Sequence, residues 1–209
     1  MNIIVLGAFG NAGRTIVAET EKRGHHVLAV GHRKHDDITF SSELIKSTLD
    51  LTQTDVTGYD VIIDAISAWT SDTFHIHTAT TSHIAQLIMG TNTRYIKVGG
   101  TGTMYISPDH TKQLKDWSAF PDNMKPLANA LVDSLDRVRS YSNISWTYIS
   151  PAFNFDINGS ITGQYKIAGE EFALDQLIQT TISYADYATA IIDILESNAH
   201  IRERIMIYR

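Results

Sequence analysis

Seven short apolar runs punctuate the chain: Ile3–Leu6, Val27–Gly31, Ile45–Thr48, Val61–Ala65, Arg94–Val98, Trp146–Ile149 and Arg204–Tyr208. Each is almost continuously apolar, as a strand covered on both faces requires. Helical patterns fall between them. Arg14–Arg23 stops at Gly24 and Ser82–Met89 stops at Gly90, both suited to a helix C-terminus. Leu127, Leu131, Leu135 and Val138 recur at helical spacing, which predicts an amphipathic helix over Pro126–Arg139. Ser183 with Asp186 three residues on reads as a capping-box start to a helix reaching about Glu196. Strand and helix in alternation predict an α/β fold, a Rossmann-like doubly wound parallel sheet with helices on both faces. The alternation fails over Pro151–Thr181, which is rich in Gly, Asn, Thr and aromatic residues. We read that stretch as loops and short strands on the substrate side of a single domain, 1–209.

The first run ends in Gly7-Ala8-Phe9-Gly10-Asn11-Ala12-Gly13, a G-x-x-G-x-x-G spacing between a strand and a helix. Gly7 permits the sharp turn, Gly10 lets backbone approach a diphosphate, and Gly13 lets helix pack on strand. The helix start then offers N–H groups and a positive dipole end to phosphate. Gly7, Phe9, Gly10, Asn11 and Ala12 are therefore expected at a dinucleotide, and ligands of such sheets lie beyond the strand carboxyl ends. After the second strand, Gly31-His32-Arg33-Lys34 offers cations where an acid would hold ribose hydroxyls. Arg33 suits a 2′-phosphate, which favours NADP over NAD. Asp50 and Leu51 could hold adenine, or Asp50 could cap the next segment. In Ala65-Ile66-Ser67-Ala68, after the fourth strand, small residues let the chain run close beneath the cofactor. Gly99-Gly100-Thr101-Gly102-Thr103 reads as a flexible loop near the nicotinamide. Pro151 and Phe153 would wall it, with Phe155, Trp117 and Phe120 available for stacking and Trp146 in the core.

Composition narrows the classes. Hydrophobic residues make up 43% and charged ones 19%, as in a globular enzyme. The net charge of -6, with dispersed basic residues, argues against a nucleic-acid surface. Cysteine is absent, which removes disulfides, thiolate catalysis and cysteine-ligated metal. His75, His77 and His83 match no metal spacing, so no metal site is expected. No run is long enough to span a bilayer, and the start lacks the pattern of a signal peptide. A cytoplasmic protein, monomer or homodimer, is the expectation.

The Gly7–Gly13 start, Val98-Gly99-Gly100-Thr101-Gly102-Thr103-Met104-Tyr105, Trp146-Thr147-Tyr148-Ile149-Ser150-Pro151 and Ile182-Ser183-Tyr184-Ala185-Asp186-Tyr187-Ala188 together resemble the atypical short-chain dehydrogenase/reductase branch. That branch includes NAD(P)H-flavin reductases and the biliverdin reductase B type. The resemblance spans nearly the whole chain. It implies a Rossmann fold, a bound nicotinamide dinucleotide, and reduction of flavins or quinone-like rings. Phe9 departs from the Thr common at its position.

The main short-chain dehydrogenase branch uses Tyr-x-x-x-Lys, in which lysine tunes a tyrosine for proton transfer. No tyrosine here has Lys four residues later. Ketone reduction needs a proton relay at oxygen. Flavin reduction needs chiefly a hydride transferred between stacked rings, with positioning supplying the catalysis. The missing pair fits hydride transfer to a flavin or similar planar ring, and it equally fits an NmrA-like redox sensor that binds cofactor without turnover. Thr101 and Lys125 are the catalytic candidates, the first for a substrate carbonyl and the second for the nicotinamide ribose. Surface placement of Lys125 is the competing reading. Thr103, Ser107 and His110 are weaker candidates of the same kind.

Overall fold

The computed structural model describes residues 1–209. The elements run β1 (Asn2–Leu6), α1 (Asn11–Lys22), β2 (His26–Gly31), β3 (Glu43–Ile45), α2 (Gln53–Val56), β4 (Val61–Asp64), α3 (His75–Ile88), β5 (Arg94–Val98), α4 (Lys125–Arg139), β6 (Ser145–Pro151), β7 (Asn154–Asp156), β8 (Lys166–Ala168), α5 (Leu174–Leu177), β9 (Thr181–Ser183), α6 (Tyr184–Glu196) and β10 (Glu203–Tyr208). Eight strands make one sheet, ordered β3-β2-β1-β4-β5-β6-β10-β8. Its pairings are parallel except that of β8 with β10. The fold is Rossmann-like α/β. β2 and β3 leave β1 on one side and β4 onward on the other, which opens a crevice at the carboxyl edge between β1 and β4.

The pleat divides the core. From β1, Ile3 and Val5 face one apolar cluster with Ile16 and Val17 of α1 and Ile191 of α6. Ile4 and Leu6 face another with Ile84 and Ile88 of α3 and Leu135 and Val138 of α4. A one-residue slip would exchange the two sets, and since both are fully apolar the register is set instead by connection lengths and by the polar residues the sheet buries. No helix is long and apolar enough to cross a membrane.

Three elements differ from the sequence reading. The third strand is Glu43–Ile45 rather than Ile45–Thr48, because Glu43, Leu44 and Ile45 register against Ala29, Val30 and Gly31. Lys46 makes the last bond, its N–H to the Gly31 carbonyl at 2.8 Å, and Thr48–Asp50 then closes a 3-10 turn. α3 starts at His75, not Ser82; its first turns bury His77, Thr80 and Thr81, polar residues that hide the helical period. Gly99–Thr103 is no flexible loop: Thr101–Thr103 is a 3-10 turn, and its glycines serve close packing. A Cβ on Gly99 would lie 2.0 Å from the Tyr148 ring, and one on Gly100 2.6 Å from Leu131.

At α6 half of the expected capping box forms. Ser183 Oγ accepts the Asp186 N–H at 3.0 Å. The Asp186 carboxylate turns outward and accepts the Thr162 and Gly163 N–H groups, each at 2.8 Å, and the Thr162 hydroxyl at 2.7 Å. This pins the irregular 151–181 stretch over the carboxyl edge.

Candidate functional site

The turn after β1 is built by exclusion of side chains. Gly7 has φ +71°, and a Cβ there would sit 2.8 Å from the Ala65 carbonyl oxygen. A Cβ on Gly13 would lie 2.1 Å from the Gly7 carbonyl oxygen, so only glycine lets α1 start this close to β1. α1 begins from extended Gly10 with no side-chain cap and no acid in its first turn. Its leading N–H groups are thereby free for an anion.

Beside this turn, β4 and β5 end in a buried ion pair. Lys97 Nζ lies 2.8 Å from Asp64 Oδ2, and both side chains are fully buried. Tyr95 donates its hydroxyl to the same oxygen at 2.6 Å, while Asp64 Oδ1 accepts the Ile66 N–H at 3.0 Å. These bonds meet the remaining lone pairs of the Asp64 carboxylate, which lowers the cost of burying it. Asp64 therefore fixes the exit of β4 toward Ala65 and Ile66. Burial and the Asp64 charge hold the Tyr95 phenol far above its ordinary value. His77 of α3 lies alongside, its Nε2 facing the Ala68 carbonyl at 3.2 Å. Burial first, and Lys97 second, push its pKa down to about 4.

The next turn is anchored from below. Thr103 is buried, donates its hydroxyl to the Gly100 carbonyl at 2.8 Å and accepts from Arg204 of β10 at 2.9 Å. The Thr101 hydroxyl donates to the Pro151 and Ala152 carbonyls at 2.8 and 2.9 Å, tying the turn to the end of β6. That proton is directed at backbone here rather than into the cavity that Thr101 lines, where the sequence reading has it meet a substrate carbonyl.

These pieces surround one cavity of about 700 Å³ at the carboxyl edge. Gly10, Asn11 and Ala12 form one end; Ile66, Ser67, Gly99, Gly100, Thr101 and Pro151 run beneath. Phe153, Phe155, Tyr184, Trp69 and Phe120 give it an aromatic wall, and Met124, Leu127 and Leu131 line the α4 side. Phe155 and Tyr184 stack with centroids 3.8 Å apart and 13° between planes. Trp69 and Phe153 are exposed at 64% and 41%, which places large aromatic faces at the rim.

Other candidates lie elsewhere. Gly7 and Ala65 support the cavity from behind. Phe9 is buried: its ring fills the space left by Gly31 and stacks on His35 at 5.1 Å, so only its backbone belongs to the turn. Leu51 is core, and Asp50 is exposed on the 3-10 turn; neither lines the cavity. Arg33 is exposed beyond β2. Lys125 points to solvent and pairs with Asp122 at 2.7 Å, because the helix it opens turns its Met124 and Leu127 side inward. Ser107 caps its own turn by accepting the Lys112 N–H, and His110 stacks on Tyr105 outside the cavity. His83 bonds the Leu51 carbonyl at 2.8 Å, and no three histidine, aspartate or glutamate side chains are grouped so as to hold a metal ion. Trp69 and Tyr184 escaped the sequence reading. For Tyr184 the available signal was an aromatic residue directly after the Ser183 cap.

Comparison with known proteins agrees with this geometry. Residues 7–198 match the NAD(P)H-binding family, and the chain belongs to it. Uncharacterized protein YwnB of Bacillus subtilis is 33% identical, with 99% of this chain and 98% of that protein aligned. A crystal structure from Streptococcus pneumoniae, described as a "putative NADH-flavin reductase", superposes with TM-score 0.93 at 41% identity, covering 100% of this chain and 99% of that one. A "putative NAD-dependent epimerase/dehydratase" from Bacillus halodurans shares the fold at 18% identity and TM-score 0.79, over 100% of this chain and 94% of that one.

Proposed function

We propose that the protein is an NAD(P)H-dependent reductase that passes a hydride to a flavin or similar planar ring. The observation that carries this is the single cavity running from the uncapped start of α1 to the stacked Phe155–Tyr184 wall. One end suits a diphosphate and the other a flat apolar ring. When bound, the dinucleotide supplies the hydride.

The chain's residues do the rest. Gly10, Asn11 and Ala12 take the phosphates on backbone N–H groups. Gly99 and Gly100 border the cavity, offering backbone for a ring to lie on, while Tyr148 and Leu131 fill the space their side chains would need. Phe153, Trp69 and Phe155 orient the acceptor and exclude water, and proximity of the two rings supplies most of the acceleration. Arg33 lies beyond β2, where a 2′-phosphate of NADPH would be read. The S. pneumoniae relative's description points to the same acceptor class.

The test is absorbance of the reduced nicotinamide with NADPH or NADH and added riboflavin or FMN. Oxidation dependent on the protein supports the reading. Tight binding of the dinucleotide with no oxidation by any flavin or quinone would replace it with the sensor reading.

A further inference from the structure

Among the groups that line the cavity there is no Asp, Glu, Lys or Arg. Asp64 and Lys97, beneath it, pair with each other. With no charged side chain in its lining, the cavity best matches an uncharged acceptor ring. Hydride transfer changes that. The acceptor gains two electrons and one proton from the nicotinamide and carries one extra negative charge until water supplies a second proton. Some hydrogen-bond donor has to face the atom on which the charge lands.

Most donors in the cavity are already occupied. His77 Nε2 faces the Ala68 carbonyl, and the Thr101 hydroxyl is shared between two carbonyls. The Asn154 amide donates to Thr181 Oγ1 at 3.1 Å, and Asn11, whose Oδ1 accepts from Arg14 at 2.8 Å, sits at the α1 end, away from the aromatic wall. Ser67 and Trp69, on the exposed segment after β4, carry an aliphatic alcohol and an indole, both weaker acids than a phenol. Tyr184 differs. Its ring is fixed by the stack on Phe155, and burial alone raises its pKa, with no hydrogen bond or charge from the chain contributing. It stays protonated at neutral pH and acts as donor rather than base.

We infer that the Tyr184 hydroxyl is the donor that holds the carbonyl edge of an uncharged ring acceptor and stabilises the negative charge arriving there. It would stand in for the Tyr-x-x-x-Lys pair from a different element, the start of α6. The inference rests on the reductase reading, and riboflavin, which is uncharged, is the probe for both.

Tyr184→Phe removes the hydroxyl and keeps the stacked ring, so folding should be unaffected and a thermal melt checks this. Expected in the variant are an unchanged NADPH dissociation constant and a kcat for riboflavin lowered about 10- to 100-fold. Riboflavin affinity in the presence of NADP⁺, read by flavin fluorescence, should weaken about 2- to 10-fold. Wild-type turnover with an unaltered kcat in Tyr184→Phe overturns the role of Tyr184 and leaves the reductase reading standing. Riboflavin binding without wild-type turnover removes the reductase reading, and equal affinity in the two proteins then overturns the Tyr184 contact as well. A wild-type chain that neither binds nor reduces riboflavin overturns both.

Discussion

The two ends of the cavity are made in opposite ways. At the α1 end, specificity lies in the absence of side chains: Gly7 and Gly13 are places where one extra carbon meets a backbone oxygen at 2.8 and 2.1 Å. At the other end it lies in large side chains: Phe153, Phe155 and Trp69 on short or irregular segments, and Tyr184 at the start of α6. A backbone-built end cannot absorb change, because nothing there can rotate away. A side-chain end can be re-cut for another acceptor without disturbing the sheet. This division is how one fold keeps a cofactor and changes substrates.

The comparison breaks first if glycine is dispensable at the cradle. Gly13→Ala forces backbone apart, with an expected loss of about 3 kcal/mol or more of stability and no measurable dinucleotide binding. Chemical denaturation and a titration with NADPH check the two parts. A variant as stable as wild type would mean the close approach is not obligatory.

At the seam between the ends, His77 predicts a pH effect. Its folded pKa of about 4 lies below the ordinary value near 6.5. The unfolded chain takes up a proton as pH falls through 6.5, while the folded chain does not until about 4. Stability from this group is therefore complete above pH 6.5 and lost on acidification between 6.5 and 4, by roughly 3 kcal/mol. His77→Gln should flatten that part of the stability curve, measured by urea unfolding across the range.

Smaller effects separate the ends further. Arg33→Ala should raise the KM for NADPH about tenfold and leave that for NADH unchanged, since the charge-assisted contact exists only with the 2′-phosphate. Equal effects on both coenzymes would remove Arg33 from that role. Phe153→Ala should raise the riboflavin KM about three- to tenfold, with stability shifted by under about 0.5 kcal/mol because the ring is already exposed. A large loss of stability instead would make Phe153 a packing residue.

The same division explains what the sequence disclosed. Gly7, Gly10 and Gly13 could be read directly, because a steric requirement leaves a residue type at a fixed spacing. The parallel strands were legible from apolar runs, including Val61–Ala65 and Arg94–Val98, even though Asp64 and Lys97 interrupt them with a pair that only tertiary contact reveals. Thr101 and Lys125 were harder to read, because residue type gives no information on where a proton or a side chain is directed. The hydroxyl bonds two backbone carbonyls, and the ammonium pairs with exposed Asp122. Tyr184 and Trp69 were hidden for a related reason. They reach the cavity from segments after β9 and β4 that long-range packing, and no local period, brings together.

Crystals grown with NADPH test the central claim most directly. The account predicts the diphosphate on the N–H groups at the start of α1 and the nicotinamide over Gly99 and Gly100, one face open toward Phe155 and Tyr184. NADPH bound with its diphosphate away from Gly10–Ala12, or with those glycines covered by side chains, would contradict it.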